Sequence, residues 1–304
     1  MIELPDCITI ENPAAPCTIL RIHHPAASAR VSLQGAQVLE WTPLGQQRSV
    51  LYLSADATFE VGRAIRGGIP LCWPWFGAPT ANPDLPSHGF ARIRPWQLIE
   101  ASATGSGVDL HFQLTGDHST LLLWPWHFAC RLRIHLGATL RVELITENIG
   151  NEAFILTEAL HTYVQVGDIT QVTVTGLDGA RYLDTVGEQA WREQIGDIHI
   201  EDEVDRQYAS TDPVNVNDPV LQRTVVVTKS GSKNCVVWNP WIEKTARLTD
   251  LPDDAWRHFV CVEAANVGNE ATLLLQPGAE HCLETTLALL DLPAGSPRSG
   301  TKVA

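Results

Sequence analysis

The stretch TLRVELITEN, residues 139–148, indicates the fold most clearly, because its apolar and polar side chains alternate. In an extended chain successive side chains point to opposite faces, so Leu140, Val142 and Leu144 would share one face. The residue after each of these, an arginine, a glutamate and an isoleucine in turn, would lie on the other face. This pattern is typical of a β-strand.

Segments of the same character continue in both directions from this strand. Turn-prone breaks such as GSG, TGDH and IGNE separate them at the spacing of antiparallel strands. An apolar stripe of convincing length with the period of a helix is missing, so we predict an all-β protein. The other predicted strands are Cys17–Ile22, Ala29–Leu33, Gln37–Trp41, Trp96–Ala101, Val108–Leu114, His127–Leu136, Val172–Thr175, Arg223–Thr228, Cys235–Trp238, Phe259–Val262 and Thr272–Gln276.

No compositional linker divides the 304 residues, so one domain spanning 1–304 is predicted. The segment Gly187–Pro219 is polar and rich in acids, but strands of similar character lie on both sides of it. We therefore interpret it as an extended excursion rather than a boundary. The small, polar tail from about Pro293 is expected to be frayed.

The composition excludes several classes of protein. A formal net charge of −14 argues against a nucleic-acid partner, which would require a basic face. No apolar run of about 18 residues indicates a membrane helix, and the acidic N-terminus does not resemble a secretory signal. The seven cysteines form no CxxC pair, which favours reduced thiols. A cytoplasmic protein without a membrane partner is expected.

The segment Arg63–Trp96, which we call the arginine loop, contains too much glycine and proline for a helix or a strand. Its four arginines accompany a single aspartate, which gives the loop an excess of positive charge. A cationic pocket in an acidic protein suggests a small anion as ligand, and guanidinium groups suit a phosphate. The alternative is that the arginines are solvated at the surface. The four are Arg63, Arg66, Arg92 and Arg94.

Three pairs of tryptophans occur around prolines in the sequence. They either pack in the core or offer an indole face to the C–H groups of a sugar ring. The pairs are Trp73 with Trp75, Trp124 with Trp126, and Trp238 with Trp241.

Four ionisable residues stand out from their surroundings. Glu263 follows a hydrophobic strand in HFVCVEAANVG, where an unpaired buried charge would be costly, unless it faces solvent at the strand end. His161, in LTEALHTYVQVGD, is either a hydrogen-bonded core residue or an acid. His88 lies near two arginines in PSHGFARIR, and Asp205 lies in EDEVDRQY, where a solvated edge is the alternative.

Common cofactor and metal signatures are missing from the sequence. It contains no HExxH, GxxxxGK[ST], GxGxxG or GxSxG motif, and the histidine spacings give no compact metal site. We therefore predict neither a metal nor a cofactor.

Six blocks occur in order between about Arg63 and Val267: RAIRGGIPLCWPWFG, HGFARIRPW, EALHTYVQVGDI, EVDRQY, NPWIEKTARLTDLPDDAW and FVCVEAANV. This series resembles the glucose-6-phosphate 1-epimerase family of the aldose 1-epimerase superfamily. The resemblance implies a β-supersandwich of antiparallel sheets, of the galactose mutarotase type. It also implies metal-independent interconversion of the α and β anomers of a hexose 6-phosphate.

The resemblance also implies roles for individual residues. The family's catalytic histidine falls on His161 in LHTY, and its catalytic glutamate falls on Glu263 in VEAANV. Its arginine contacts to phosphate and sugar match Arg66 in IRGG and Arg92 in HGFAR. Its aspartate, which accepts hydrogen bonds from sugar hydroxyls, matches Asp205 in EVDR.

One position departs from the family's pattern. The residue before HGFAR is often a glutamine that contacts substrate, but here it is Ser87. A serine reaches less far, so a water molecule could replace this contact. His88, the next residue, is included among the expected substrate contacts.

The implied chemistry is general acid–base catalysis of ring opening. Glu263 would remove the proton of the C1 hydroxyl while His161 protonates the ring oxygen. The aldehyde would then rotate about C1–C2 and close on its other face. The arginines would hold the phosphate and thereby orient C1.

Three alternatives remain open at this point. The protein could be a mutarotase for unphosphorylated aldoses, which the arginines disfavour, or a non-catalytic carbohydrate-binding sandwich. A glycosidase would need two carboxylates across the scissile bond, whereas the blocks offer a glutamate and a histidine. A monomer is the expected state, and the preferred hexose phosphate stays open.

Overall fold

The computed structural model describes residues 2–11, 17–79, 82–268 and 270–291, and β-strands predominate among them. The strands are β1 (Ile8–Glu11), β2 (Ile19–His24), β3 (Ala27–Ser32), β4 (Gln37–Pro43), β5 (Leu71–Cys72), β6 (Gln97–Thr104), β7 (Gly107–Thr115), β8 (Phe128–Gly137), β9 (Leu140–Asn148), β10 (Phe154–Leu156), β11 (Glu158–Leu160), β12 (Tyr163–Gln165), β13 (Thr173–Thr175), β14 (Arg181–Asp184), β15 (Ala190–Glu193), β16 (Ile198–His199), β17 (Val204–Tyr208), β18 (Val214–Asp218), β19 (Arg223–Ser230), β20 (Asn234–Asn239), β21 (Phe259–Asn266), β22 (Leu273–Leu275) and β23 (Glu280–Asp291). The all-β prediction is confirmed.

Helices are short and few in the described part of the chain. They are α1 (His118–Leu123), α2 (Trp241–Thr245) and the 3-10 turns Ala91–Ile93, Ile169–Gln171 and Ala255–Arg257. No helix within the described residues has the length and hydropathy needed to span a bilayer.

Two large antiparallel sheets form the sandwich. The eight-stranded sheet has the order β15-β14-β17-β20-β21-β11-β5, and β12 also pairs with β21. The nine-stranded sheet has the order β16-β13-β18-β19-β23-β9-β8-β7-β6. Strands β1 to β4 form a separate four-stranded sheet, and β10 pairs with β22.

The core lies between the two large sheets. Val260 and Val262 of β21 belong to the same buried apolar cluster as Leu283 and Leu287 of β23 in the opposite sheet. Because side chains alternate along a strand, these residues occupy one face of β21 and leave the other face free for a site. Burying each such side chain contributes about 1.5–3 kcal/mol.

Every predicted strand is present, with ends that differ by a few residues. The sequence missed several strands, among them the longest, β23, whose mixed residues Glu280–Asp291 follow no clear alternation. The interpretation of Gly187–Pro219 as an excursion is wrong, because the segment contains β15 to β18. Two of these are edge strands, where main-chain pairing needs no apolar alternation. The predicted frayed tail from Pro293 lies outside the described residues, and the single domain stays a prediction.

The register of β21 aligns two residues that the sequence singled out separately. Its partners β11 and β12 pair with it in one continuous antiparallel register, interrupted by two residues. The first of these, His161, therefore lies opposite Glu263. The second residue, Thr162, is held in place because its carbonyl oxygen accepts a main-chain hydrogen bond from the N–H of Val262 at 3.1 Å.

The arginine loop crosses the open face of the eight-stranded sheet. It is mostly irregular, as predicted, but Leu71–Cys72 forms β5 on the edge of β11 and Ala91–Ile93 forms a 3-10 turn. Gly89 has a φ of +73° and lies against Trp73, where a Cβ atom would overlap the Trp73 carbonyl oxygen. Only glycine fits this approach without strain.

A pair of glycine substitutions tests this packing. Gly77 has a φ of +76° but open space where a Cβ would go. Gly77→Ala should therefore lower the free energy of unfolding by about 1–2 kcal/mol, the cost of left-handed backbone alone. Gly89→Ala should lower it by about 3 kcal/mol or more, because overlap is added to strain. Urea unfolding measures both, and equal losses would contradict the close approach.

Candidate active site

A cavity of about 750 Å³ opens on the face of the eight-stranded sheet that is turned away from the core. Its size is that of a small-molecule site. The structure brings all seven predicted site residues into its lining: Arg66, Ser87, His88, Arg92, His161, Asp205 and Glu263.

The strand register places the sheet residues of the cavity on one face. Asp205 of β17 lies opposite Trp238 of β20, and Val236 of β20 lies opposite Glu263 of β21. Paired residues in an antiparallel sheet point to the same side, and alternate residues along β20 share that side. Two polar residues of β17, Asp205 and Gln207, line the cavity, which partly explains why the sequence did not reveal this strand.

His161 and Glu263 form a close, buried pair. The Nε2 atom of His161 lies 3.3 Å from Oε1 of Glu263, and the side chains are only 10% and 1% exposed. Within the residues that the structure describes, His161 Nδ1 and Glu263 Oε2 have no hydrogen-bond partner. The alternative of a solvent-facing Glu263 is therefore wrong, and the pair has unused acid–base capacity.

Burial sets the protonation of this pair. Desolvation, followed by the charge of Asp205, raises the pKa of Glu263 well above its ordinary value, against the opposing effect of Arg92. Desolvation, followed by the neighbouring His88 ring and the charges of Arg92 and Arg66, lowers the pKa of His161 well below its ordinary value. The protein environment thus favours a neutral carboxylic acid beside a neutral imidazole.

This neutral state differs from the carboxylate and imidazolium that the sequence argument assigned. Both states contain one proton in total, and they differ only in whether Glu263 or His161 holds it. The separation of 3.3 Å is slightly longer than the hydrogen-bond distance at which a proton is transferred directly.

Arg66 is held rigidly at the cavity. Its Nε donates to Oδ2 of Asp250 at 3.0 Å, and its Nη1 donates to the Tyr163 hydroxyl at 3.0 Å. The ring of Tyr163 in turn stacks on His161 at a centroid distance of 4.8 Å. Arg66 is thereby connected to the catalytic candidate through one aromatic ring.

Arg92 has no such compensation. Its Nη2 donates to the Ser87 carbonyl oxygen at 2.7 Å, and its buried Nε has no hydrogen-bond partner among the described residues. It also forms no ion pair with any carboxylate in that part of the chain. A half-buried cation without a counter-ion is the feature expected of an anion site. Ser87 uses only its carbonyl here, so the role of its hydroxyl stays a prediction.

The other two loop arginines do not reach the cavity. Arg63 is exposed and lies 3.4 Å from Glu60, while Arg94 donates to the Ser119 hydroxyl at 2.8 Å. The predicted four-arginine pocket is therefore wrong in extent. Spacing along an irregular loop does not determine which side chains converge.

Only one of the six paired tryptophans lines the cavity. Trp238 meets His161 edge to face at 5.7 Å, with an interplanar angle of 82°. Trp73 and Trp124 are buried in the core, and their partners pack against it. Core packing thus describes five of these tryptophans, whereas only Trp238 lies where a sugar could contact it.

His88 is a neutral donor in this site. Its Nδ1 accepts a hydrogen bond from the Gly77 N–H at 3.3 Å, which leaves the hydrogen on Nε2. Burial, and then the charges of Arg92 and Arg66, lower its pKa to about 3. His88 is therefore an uncharged imidazole at neutral pH, with its ring centroid 6.0 Å from that of His161.

Lys244 is a cavity residue that the sequence analysis did not single out. Its Nζ forms an ion pair with Glu203 and lies 3.9 Å from Oδ2 of Asp205. Burial raises the pKa of Asp205, and the nearby Lys244 opposes that shift. Lys244, like Asp250, lies in the block NPWIEKTARLTDLPDDAW, but only the fold shows which side chains of that block face the cavity.

Three potential metal ligands lie close together at the buried pair. His161, Cys261 and Glu263 place their potential ligand atoms within 4.8 Å of one another. Burial raises the pKa of the Cys261 thiol well above its ordinary value. A metal at this position would have to displace the thiol proton, since metals bind the thiolate, and a site without metal stays a prediction. All seven cysteines are free.

Comparison with known proteins extends these observations. Residues 18–288 match the model of the family described as aldose 1-epimerase. A protein of Escherichia coli K12 named "Putative glucose-6-phosphate 1-epimerase" is 41% identical over 249 residues, which cover 81% of this chain and 82% of that protein.

Solved structures give the same grouping. The crystal structure of a "putative mutarotase" from Salmonella typhimurium has a TM-score of 0.88 and 34% identity, and the match covers 96% of each chain. A galactose mutarotase-like protein from Clostridium acetobutylicum has a TM-score of 0.73 at 15% identity, with 93% of this chain and 98% of that chain covered. The second likeness concerns the fold alone and confirms the predicted galactose mutarotase-like sandwich.

The buried carboxyl group makes a prediction about stability. A carboxyl with a raised pKa stabilises the folded state most at low pH, and this contribution is lost as pH rises from about 4.5 through the folded-state pKa. Glu263→Gln keeps the shape without that loss. Its free energy of unfolding should exceed that of the parent protein at neutral pH by at least about 1 kcal/mol, and the difference should grow with pH.

Urea unfolding at several pH values measures this difference. The control is Glu193→Gln, which removes one exposed strand carboxylate outside the cavity. The lowered pKa of His161 acts in the opposite sense, since its contribution is lost on acidification, but both proteins contain it. A Glu263→Gln variant that is less stable than the parent at every pH would contradict the protonation described here.

Proposed function

Because the chain belongs to the aldose 1-epimerase family, a family of isomerases, we propose that it interconverts the α and β anomers of a hexose 6-phosphate, with glucose 6-phosphate as substrate. One observation carries the proposal. The same cavity contains a buried acid–base pair, His161 and Glu263, and a guanidinium, Arg92, that has no counter-ion among the residues the structure describes. The first suits the anomeric centre, and the second suits a phosphate.

Ring opening uses the ionised form of the pair. The Glu263 carboxylate takes the proton of the C1 hydroxyl, and the His161 imidazolium gives its proton to the ring oxygen. The C1–ring oxygen bond breaks, and an aldehyde forms at C1. The pair ends as a carboxylic acid and a neutral imidazole, which is the form that burial favours.

Ring closure is the reverse, on the other face of the aldehyde. After rotation about C1–C2, His161 takes the proton of the attacking hydroxyl and Glu263 protonates the carbonyl oxygen. The proton count of the pair is one throughout. A pair that holds one proton in two places is therefore matched to a reaction that runs in both directions.

The remaining cavity residues would orient the sugar. Arg66 and Arg92 hold the phosphate, and Asp205 accepts hydrogen bonds from sugar hydroxyls. Trp238 offers an indole beside His161 for the C–H face of the ring. The Nε2–H of His88 supplies a neutral donor, and Ser87 is a candidate contact at the exposed rim. Fixing a remote phosphate in this way converts binding into alignment at C1.

A mutarotase for unphosphorylated aldoses is the competing function. It leaves the uncompensated charge of Arg92 unexplained, because a neutral sugar provides no counter-ion. A non-catalytic sandwich does not agree with membership in a family of isomerases. Neither alternative accounts for both halves of the cavity.

Exchange between the anomers of glucose 6-phosphate tests the proposed function. Two-dimensional NMR exchange spectroscopy at equilibrium should give cross-peaks between the α and β anomers that grow with protein concentration. The same measurement on free glucose should give much weaker exchange. Exchange no faster than the spontaneous rate with either sugar would contradict the proposal.

Glu263→Gln should remove most of the exchange. The amide keeps the shape of the side chain but cannot accept the C1 hydroxyl proton, so the rate should fall by about 10²–10⁴-fold. Binding of glucose 6-phosphate, measured by calorimetry, should persist. The control is again Glu193→Gln, and exchange by Glu263→Gln within a few-fold of the parent would remove this residue from the mechanism.

Arg92→Ala should discriminate between the two substrates. Losing a charge-assisted hydrogen bond to a phosphate costs about 1.5–3 kcal/mol, which is about a 10- to 100-fold loss in kcat/KM for glucose 6-phosphate. The loss on free glucose should be smaller. Arg63→Ala, in the same loop but outside the cavity, is the matched control. Equal losses on both sugars would show that Arg92 shapes the loop only.

A further inference from the structure

The groups that act on His161 differ in charge between the arginine loop and the sheet. The arginine loop contributes two cations and a neutral imidazole, whereas the sheet contributes one buried carboxyl group at 3.3 Å. The groups are Arg66, His88 and Arg92 from the arginine loop, Tyr163 from β12, Cys261 and Glu263 from β21, and, beyond Glu263, Asp205 from β17 with Lys244 of α2 beside it.

Ring opening requires a protonated His161, and this environment opposes that state. Arg66 is partly compensated by Asp250, but Arg92 has no carboxylate partner in the described residues. A second positive charge on His161, whose side chain is only 10% exposed, would therefore be added to an uncompensated one. The neutral pair that burial favours is the form that ring closure uses, whereas ring opening uses the ionised form.

A dianion between the two arginines would change this balance. It would offset both Arg66 and Arg92, which oppose a proton on His161, whereas of these two arginines only Arg92 also acts on Glu263, where it favours the carboxylate. The proton shared by the pair would then move from Glu263 to His161, which produces the ionised form that opens the ring.

We propose that the phosphate of the substrate activates the acid–base pair in addition to anchoring the sugar, so that a free oxyanion dianion bound at Arg66 and Arg92 accelerates the mutarotation of an unphosphorylated aldose. This inference rests on the proposed function, because it assigns the phosphate to these arginines. It adds a binding site for an activator that is separable from the sugar.

The direction of the pKa shift of His161 agrees with this effect. Arg92 and Arg66 lower the pKa of His161, after burial and His88. An anion that offsets them raises that pKa, so the acid form persists to higher pH. Each unit of such a shift is a tenfold change in the protonated fraction. We therefore expect an activation on the order of tenfold.

The experiment measures exchange between the anomers of glucose with and without sodium sulfate. Sulfate is a dianion and a weak base, so it adds little buffer catalysis, and the rate without protein is subtracted. Sodium chloride at equal ionic strength is the salt control. Sulfate should increase kcat/KM for glucose by about tenfold and, in the same range of concentration, inhibit exchange of glucose 6-phosphate competitively.

Two variants and a pH profile separate activation from general salt effects. Arg92→Ala should lose the activation by sulfate, whereas Arg63→Ala, outside the cavity, should keep it. Sulfate should also extend the activity on glucose to higher pH, which an anion with a purely structural role would not do. Rescue of sulfate activation in Arg92→Lys would further support a role of charge.

The outcomes are distinct from those of the proposed function. If glucose 6-phosphate exchanges rapidly but sulfate fails to activate glucose exchange, the phosphate is only an anchor and the inference is overturned. The inference also fails if chloride activates equally or if Arg92→Ala retains the activation. If glucose 6-phosphate does not exchange at all, the proposed function itself fails.

Discussion

The continuous antiparallel register between β21 and its two partners is the constraint on which the site depends. Because β11 and β12 share one register along β21, the first of the two residues between them lies opposite Glu263. That residue is His161, and the cross-strand position brings the imidazole to 3.3 Å from the carboxyl group. A slip of one residue would turn one side chain to the core face and separate the pair. The main-chain pairing of the strands therefore positions the two side chains relative to each other.

Burial gives the pair its chemistry and also imposes a cost. Two ionisable groups removed from water favour their neutral forms, so the pair retains one proton that can sit on either member. The arginine loop covers the pair and contributes cations, and Arg92 has no counter-ion within the described chain. Glycines such as Gly89 allow this loop to pack closely against itself at Trp73. In the function that we propose, the phosphate of the substrate supplies this counter-ion, which would connect recognition of the sugar to the acid–base step.

The sequence predicted the strands where one face is buried, as in Leu140–Asn148, because alternation results directly from the pleat. It missed β17, which contributes polar residues to the cavity lining, and β23, in which apolar and polar residues are mixed. The roles of His161 and Glu263 came from the order of family blocks, since no local pattern reveals a partner 102 residues away in the chain. Loop geometry brings Arg66 and Arg92 into the cavity and leaves Arg63 outside it, and the fold also places Lys244 there. The spacing of residues along the sequence does not predict either result.

Nitrogen NMR of His161 tests the central claim, that one proton is shared by the pair and placed by the surrounding charge. Protein labelled with 15N-histidine is compared free, with 1,5-anhydroglucitol and with 1,5-anhydroglucitol 6-phosphate, which lack the C1 hydroxyl and cannot react. A His161→Asn variant assigns the signals. The account predicts a neutral imidazole in the free protein and with the unphosphorylated analogue, and an imidazolium with the phosphorylated one. The same protonation state in all three samples would contradict it.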